Sequence, residues 1–470
     1  MSVVVLLLPF LALFILNLLS REAQKSGWIP CLVIFALQTL AAALYPSGLI
    51  DWQLLAPLEK FIGFPLVIDN LSLLLMGTAG LSGLAAILVA RAAFATPRAT
   101  YRFSNLLLVA LVGMNGIAMV RDLFSLYVFI EVTSVAAFIL VAMRDDKASF
   151  EGTWKYLILS TVASVFMLVG IAFFLLGTGG VSFQDAASAL AAPTPLVWIA
   201  GALFLCGLFV KSAMIPFHGW LADAYTEAAA PVSVFLAGIV TKATGIFALM
   251  RLLPMLPVAA GPAREVALIV GAVAAVGGAF LALTQSDMKR MLAYSSLSQM
   301  GYIVMALGGE PSLALIAAGV HFFNHTVSKA GLFANAAALE DRLGTRDMDR
   351  MGGLASRMPI TGGTSTVAAL SISGLPPLAG FWSKLLIVIA LWRAGQQVFA
   401  VIAILTSLVT LAYFLSLQRR VFFGTVLDEW KAVREAGPGY TIPAVALAAI
   451  TVIVGLGFPF FLPLLLGGGL

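Results

Sequence analysis

Four lysines lie inside long apolar stretches of this 470-residue chain, where charged side chains are rare. They are Lys211, Lys242, Lys329 and Lys384, and Glu131 stands in a similar stretch. A charge at the centre of a bilayer costs about 2.5–3.5 kcal/mol on insertion scales, so four charged lysines cost roughly 10–14 kcal/mol. A chain that keeps these groups is expected to use them, and the simplest use is to carry protons or other ions through a membrane.

Two of the lysines lie beside prolines. Lys211 precedes Pro216 by five residues, and Lys384 follows the pair Pro376 and Pro377. Proline removes a backbone donor and opens a helix, which leaves free carbonyls and room for water. A lysine held between desolvation and a nearby acid can load and release a proton. The alternative is that each lysine snorkels or joins two helices in a static ion pair.

A third polar group consists of His321, His325 and Lys329, which are spaced by four residues. On a helix these side chains form one stripe that can extend a hydrogen-bonded chain between the two proline breaks. The HxxxH spacing could also hold a metal or haem, but the sequence offers no third ligand and no CxxCH motif. The alternative is that both histidines only form hydrogen bonds to neighbouring helices.

Other polar residues stand nearer the ends of the apolar stretches. His218, Asp223 and Glu227 could gate an ion-uptake path or simply cap a half-helix. Three further residues are expected in an inside loop anchored at the interface, namely Asp287, Lys289 and Arg290. Asp69 begins the third apolar segment as a cap or as a contact to a neighbouring subunit.

The composition is that of an all-α polytopic membrane protein forming one transmembrane domain over 1–470. The chain is 61% hydrophobic and 10% charged, and its mean hydropathy is +1.04. Its basic residues form no polybasic tail, so the pI of 9.2 does not indicate nucleic-acid binding. Cys31 and Cys206 lack CxxC partners, and we expect no disulfide, metal or cofactor.

Apolar runs of bilayer-spanning length predict about 14 transmembrane helices. The runs fall near 3–19, 28–46, 66–90, 104–120, 122–143, 154–176, 196–227, 231–256, 264–285, 290–308, 311–340, 360–395, 398–418 and 441–466. Two of them, 196–227 and 360–395, are too long for one span and contain the prolines, so we interpret both as broken helices.

The loop charges predict the orientation. With the N-terminus outside, eighteen lysines and arginines fall in inside loops and five in outside loops. Both termini are therefore predicted outside, with a retained first helix. The broken segments are five spans apart, which predicts two inverted five-helix repeats, 104–256 and 264–418, each with one broken helix.

The polar motifs closely resemble the antiporter-like subunits of respiratory complex I, Mrp-type cation/proton antiporters and membrane-bound hydrogenases. The matching stretches are FVKSAMIPFHGWLADAYTEAAAPVS, TKATGIFALMRL, SDMKRMLAYSSLSQMGY, HFFNHTVSKAGLF and SGLPPLAGFWSK. One departure is that Ala222 and Ala229 stand where that family usually has proline. The resemblance implies these roles: a coupling ion pair of Glu131 and Lys211, a connecting Lys242, a central relay of His321, His325 and Lys329, and a terminal Lys384.

The predicted function is an ion-translocating subunit of a multisubunit redox-driven or Mrp-type complex in a prokaryotic cytoplasmic membrane. The ion is a proton, with Na⁺ left open. The sequence contains no nucleotide loop, flavin motif or iron–sulfur cysteines, so the subunit is expected to be non-catalytic and partner membrane subunits to supply the energy. The alternatives are a stand-alone cation/proton antiporter and a non-pumping scaffold subunit of an enzyme complex.

Overall fold

The computed structural model describes residues 2–18, 24–45, 65–255 and 261–468, and within these ranges the protein is all-α apart from two isolated β-bridges. The chain termini, which the sequence predicts outside, fall beyond the described residues. The helices are α1 (Ser2–Leu18), α2 (Trp28–Leu44), α3 (Asn70–Ala93), α4 (Pro97–Met119), α5 (Leu123–Ala142), α6 (Lys147–Thr178), α7 (Phe183–Ala191), α8 (Pro195–Lys211), α9 (Gly219–Glu227), α10 (Ala230–Met255), α11 (Pro262–Leu283), α12 (Met288–Ala306), α13 (Pro311–Leu343), α14 (Pro359–Ser373), α15 (Ala379–Arg393), α16 (Gln397–Phe422) and α17 (Pro438–Gly468).

Many of these helices are long and apolar enough to cross a bilayer. Eight qualify by length and composition among the described residues, namely α3, α4, α5, α6, α10, α11, α16 and α17. Three shorter apolar helices add α1, α2 and α8. This confirms a helical membrane architecture.

The centre of the bundle is formed by α10 and α13. The apolar window of α10 is completely buried, whereas less than half of each of those of α6, α16 and α17 is buried. Helix α13 packs against α3, α12, α14, α15 and α17, so its middle is enclosed on several sides. Side chains on α10 and α13 are therefore held away from lipid by neighbouring helices.

Two helices are interrupted around the prolines that the sequence singles out. Helix α8 ends at Lys211 before α9 begins at Gly219, and α14 ends at Ser373 before α15 begins at Ala379. The two interruptions share a backbone pattern. Each has a cis X–Pro bond and a left-handed residue, Ala213 in the first and Gly374 in the second. Irregular backbone at this depth is tolerated where it is enclosed by protein or lines a polar cavity.

The two ends of the bundle carry matching backbone bridges. Asp122 pairs with Ser182 at one end, and Asp287 pairs with Asp347 at the other. Asp122 caps α5 and Asp287 caps α12. The two residues of each pair are the same number of residues apart along the chain. We call the end with the Asp122–Ser182 pair the Asp69 end, because Asp69 binds Arg121 there, and we call the opposite end the Asp287 end.

A cluster of charges joins three helices at the Asp69 end. Asp69 accepts a hydrogen bond from Ser72 N as the cap of α3, and its carboxylate binds Arg121, at 2.9 Å, and Arg251 from α10. Burial alone raises the pKa of the Asp69 carboxyl, but Arg251 and the hydrogen bonds from Ser72 lower it to about 2. Asp69 is thus both a helix cap and an ion-pair centre.

We predict that Asp69→Asn lowers the stability of the detergent-solubilised protein by about 1 kcal/mol, a figure reduced because this carboxyl is partly exposed. Asparagine still caps the helix, but both arginines lose their counter-charge. A depressed pKa contributes stability above the unfolded value near 3.9, so the loss should be constant from pH 5 to 8. The measurement is the thermal midpoint across that range.

The matched control is Glu310→Gln, which alters the carboxylate that caps α13 through Ser312. Equal shifts of the thermal midpoint for the two variants would show that the arginine pairing at Asp69 adds nothing beyond capping.

Candidate functional site

The first interruption holds an ion pair at mid-bundle. Lys211, the last residue of α8, places its Nζ 2.8 Å from Glu131 Oε1 on α5. The ammonium also donates to Ser134 Oγ at 3.2 Å and to Ser160 Oγ at 2.5 Å. Ser164 donates to Glu131 Oε1 at 2.6 Å. We call these five residues the Glu131 cluster.

The two charges of this pair have different exposures. The Lys211 side chain is 1% exposed, whereas that of Glu131 is 28% exposed. Exposed apolar residues of α5 and α6, among them Val128, Val135 and Val165, share the outer face of these helices. The pair therefore runs from the protein interior to a surface that faces the membrane or a neighbouring protein.

Lys242 lies in the part of α10 that is wound as π-helix. Its ammonium donates to the carbonyls of Ala237 and Gly238, each at 2.5 Å. π-Bulges shift the backbone hydrogen-bond register and occur frequently at functional sites. The carbonyls of its own helix therefore accept hydrogen bonds from the Lys242 ammonium. Among the described residues, no carboxylate lies within ion-pair distance of this group.

The three residues of the HFFNHTVSK stretch share one buried face of α13. The rings of His321 and His325 are nearly parallel, at 5°, with centroids 6.3 Å apart. His321 Nδ1 bonds to Ser383 Oγ at 2.9 Å. Lys329 Nζ donates to the Leu292 carbonyl at 2.9 Å and to Ser295 Oγ. We call these three residues the α13 relay.

Several polar atoms around this relay have no hydrogen-bond partner in the described part of the protein. They are both ring nitrogens of His325, Nε2 of His321 and Nζ of Lys384. Buried polar groups are almost always hydrogen-bonded to protein or to water. Such groups on neighbouring residues are suited to water molecules or to a proton in transit.

The seven polar residues that the sequence singles out within apolar stretches fall into two groups. The first contains Lys242, the α13 relay and Lys384, because α10 packs against α13 and Ser383, next to Lys384, bonds to His321. The Glu131 cluster stands apart. Helix α8 packs against the π-helical part of α10. Ser212, which follows α8, lies so close to Gly245 of α10 that a Cβ at Gly245 would not fit. Lys211 and Lys242 are therefore carried on helices that touch.

The candidate uptake residues of α9 are engaged in ion pairs. Asp223 binds Lys155 at 2.8 Å and Arg290 at 3.0 Å. Glu227 lies 3.5 Å from both Arg144 and Arg346. Lys155 lies on α6 and Arg290 on α12, whereas Arg144 and Arg346 lie in the connections that follow α5 and α13. The two carboxylates therefore hold α9, the second part of the broken helix, in place. His218 Nδ1 has no hydrogen-bond partner in the described ranges, and its ring is 6.4 Å from that of Tyr294.

Sequence reasoning missed some residues of the site. It assigned Lys289 to an inside loop, but this lysine is buried in the first turn of α12. Its ammonium donates to the Ala228 carbonyl at 2.7 Å and lies 3.7 Å from Glu340. The serines of the Glu131 cluster were missed too. No sequence signal separates them from other small residues on membrane helices.

Tyr302 was also missed. Its ring lies under the ammonium of Lys384, 4.6 Å from Nζ to the ring centroid. Tyr302 is on α12 and Lys384 is on α15, so only the packing of these helices reveals the contact. The described residues contain no group of three or more His, Cys, Asp or Glu side chains placed to hold a metal ion.

Comparison with known proteins gives a consistent family assignment. A family model described as "NADH:quinone oxidoreductase/Mrp antiporter, TM" matches residues 120–410, which include all seven of these polar residues.

Two curated relatives cover most of the chain. NADH-quinone oxidoreductase subunit N of Desulforudis audaxviator is 37% identical over 84% of this chain and 81% of that protein. A Na(+)/H(+) antiporter subunit of Alkalihalophilus pseudofirmus is 28% identical over 96% of this chain and 92% of its own length. A chain of the Mrp complex from Dietzia sp. has the same fold, with a TM-score of 0.88 at 24% identity over 98% of this chain and 96% of that one.

We predict that Glu131→Gln destabilises the protein by about 2 kcal/mol, because it leaves the buried Lys211 ammonium without a counter-charge. The double variant Glu131→Gln/Lys211→Met should recover part of that loss, since it removes both charges. Thermal unfolding of the purified protein measures both effects as a double-mutant cycle.

The matched control is Glu151→Gln, which removes the exposed partner of Lys155 on α6 and should cost less than about 1 kcal/mol. Strictly additive losses in the cycle would contradict a direct stabilising interaction between Glu131 and Lys211.

Proposed function

Because the chain belongs to the NADH:quinone oxidoreductase/Mrp antiporter transmembrane family, we propose that it carries ions through the membrane as an antiporter-like subunit of a larger complex. The two curated relatives described above are themselves named as subunits. The transported ion is a proton, with Na⁺ as the second candidate. The observation that carries the proposal is the row of buried basic groups that begins at the Lys211–Glu131 pair.

The proposed path has two parts that meet at α10. Protonation of Lys211 is controlled by Glu131, because the ammonium is stabilised while the carboxylate faces it at 2.8 Å. A rearrangement of that pair releases the proton toward Lys242 on the helix packed against α8. The α13 relay then passes it on to Lys384, whose neighbour Ser383 bonds to His321 at 2.9 Å.

The two proline breaks lie beside Lys211 and Lys384, the lysines at the two ends of the proposed path. Lys211 ends α8, and Lys384 lies in the second turn of α15 beyond the other break. Irregular backbone beside each lysine exposes polar groups and admits water, which a continuous helix does not. Pro216 and the pair Pro376 and Pro377 are therefore assigned to the transport machinery as helix breaks.

The carboxylates of α9 are proposed to line an ion-uptake path from the Asp287 end. His218 stands at the start of α9, where its unpaired ring nitrogen faces the interior. Asp223 and Glu227 lie further toward the end and attract cations. Because both already bind basic residues, uptake past them requires those ion pairs to open.

Two inverted five-helix repeats, 104–256 and 264–418, are part of the proposal. Their support is the matched bridge pairs at opposite ends of the bundle and the left-handed residue that each of the two breaks contains. Adding α1, α2, α12, α13 and the two broken helices to the eight long apolar helices makes fourteen spans. With the Asp287 end in the cytoplasm, this orientation fits the positive-inside rule for a prokaryotic cytoplasmic membrane.

Partner subunits supply the driving force in this account. Moving one charge across 100 mV costs about 2.3 kcal/mol. The partly exposed Glu131 offers a route for such coupling, because a neighbouring subunit packed on α5 and α6 can act on its carboxylate. A partner with a polar or cationic group at this depth would stabilise the glutamate in the membrane.

The test compares Lys211→Ala and Lys384→Ala with the exposed-lysine control Lys431→Ala. The complex is isolated through a tag on this chain and reconstituted into liposomes with a pH-sensitive dye. Transport is driven by an imposed Na⁺ gradient and, separately, by the redox substrate that the co-isolated subunits accept. We expect each buried-lysine variant to lower proton flux at least about tenfold, the size of a loss of ~1.4 kcal/mol, with normal subunit composition.

Wild-type flux in both buried-lysine variants would overturn the mechanism. Coupled exchange by the purified chain alone would instead identify a stand-alone antiporter, and loss of assembly without loss of flux per assembled complex would identify a scaffold subunit.

A further inference from the structure

The terminal lysine of the proposed path is held by an aromatic ring. Lys384 Nζ lies 4.6 Å from the centroid of the Tyr302 ring and has no hydrogen-bond partner among the described residues. Both side chains are buried, with Tyr302 at 0% and Lys384 at 6% exposure. A desolvated ammonium over an aromatic face is attracted by the negative face of the ring. The ring is therefore the principal protein contact that favours the charged form of Lys384.

The Tyr302 ring is fixed in place from the other side. Its hydroxyl donates to the Ala403 carbonyl of α16 at 2.7 Å and lies 3.0 Å from Ser407 Oγ. This anchoring directs the hydroxyl toward α16 and leaves the face of the ring to Lys384. The ring is also 5.7 Å from that of His321, so it lies beside the last member of the α13 relay.

Lys384 reaches the ring across the second helix break. Its Cδ would lie 3.0 Å from a Cβ built on Gly374, the left-handed residue that ends α14. Gly374 therefore makes room for the aliphatic part of the side chain and allows this backbone conformation. The aliphatic part of Lys384 thus packs against the helix break, and its ammonium group packs against the Tyr302 ring.

We propose that Tyr302 is a positioning residue that holds the ammonium of Lys384 beside His321 with the face of its ring. This inference rests on the proposed function, because it assigns Tyr302 a place at the end of that path. The ring itself neither donates nor accepts the transported proton. It stabilises the charged lysine between transfers and keeps Nζ within reach of the relay.

The proposal makes a prediction that separates the ring from the hydroxyl. If the ring face is what matters, Tyr302→Phe keeps transport because phenylalanine retains the aromatic face. Tyr302→Leu removes that face and should lower proton flux about tenfold, equivalent to ~1.4 kcal/mol. If the hydroxyl instead carries the proton, the phenylalanine variant should fail as severely as the leucine variant.

The experiment uses the assembled complex in proteoliposomes and measures proton flux for Tyr302→Phe, Tyr302→Leu and Lys384→Met. Tyr440→Leu is the control for losing a buried tyrosine, because this residue of α17 bonds Asp341 and not the relay. Subunit composition is checked for each variant. We expect near wild-type flux for Tyr302→Phe and Tyr440→Leu, and a loss in the other two.

The outcomes separate this inference from the proposed function. Wild-type flux in Lys384→Met would contradict the role of Lys384 in the path itself. Loss in Lys384→Met with wild-type flux in Tyr302→Leu would overturn only the role of Tyr302. Equal losses in Tyr302→Phe and Tyr302→Leu would likewise overturn it, because the hydroxyl and not the ring would then be the functional group.

Discussion

The cost of holding an ammonium group away from water governs this structure. Each of the four lysines in the apolar interior is compensated differently: Lys211 by a carboxylate and hydroxyls, Lys242 by carbonyls of its own helix, Lys329 by a carbonyl and a serine, and Lys384 by an aromatic ring. Among the residues that the structure describes, only Lys211 of these four has a carboxylate within ion-pair distance. The chain thus holds three basic groups whose charged forms depend on dipoles or on a ring, which suits groups that gain and lose protons.

The backbone irregularities follow from the same constraint. A regular helix uses all of its carbonyls internally and offers a buried lysine nothing. The two breaks and the π-helical turns of α10 release carbonyls or create space beside Lys211, Lys242 and Lys384. Ion pairs at both ends of the bundle then hold the interrupted pieces together. Asp69 fixes α3 to α10, and Asp223 of α9 binds basic residues of α6 and α12.

The sequence was sufficient to predict what depends on local pattern. The apolar runs and the prolines predicted the helices and their interruptions, and four-residue spacing predicted the shared face of His321, His325 and Lys329. Contacts between distant segments could not be predicted from the sequence. The serines around Lys211, the ring under Lys384 and the burial of Lys289 depend on how α6, α12 and α15 pack, and a single sequence carries no record of that packing. Lys289 was misjudged because its neighbours Asp287 and Arg290 have the polarity of a loop.

In the proposed path, charge passes between the Glu131 cluster and the α13 relay through α10, and Lys242 is the basic residue of that helix. The most direct measurement is proton flux through the reconstituted complex with Lys242→Ala, compared with the wild type at equal subunit composition. We expect flux to fall at least about tenfold, or ~1.4 kcal/mol, while the Glu131 cluster and the α13 relay remain intact. Flux equal to that of the wild type would contradict a continuous path through α10.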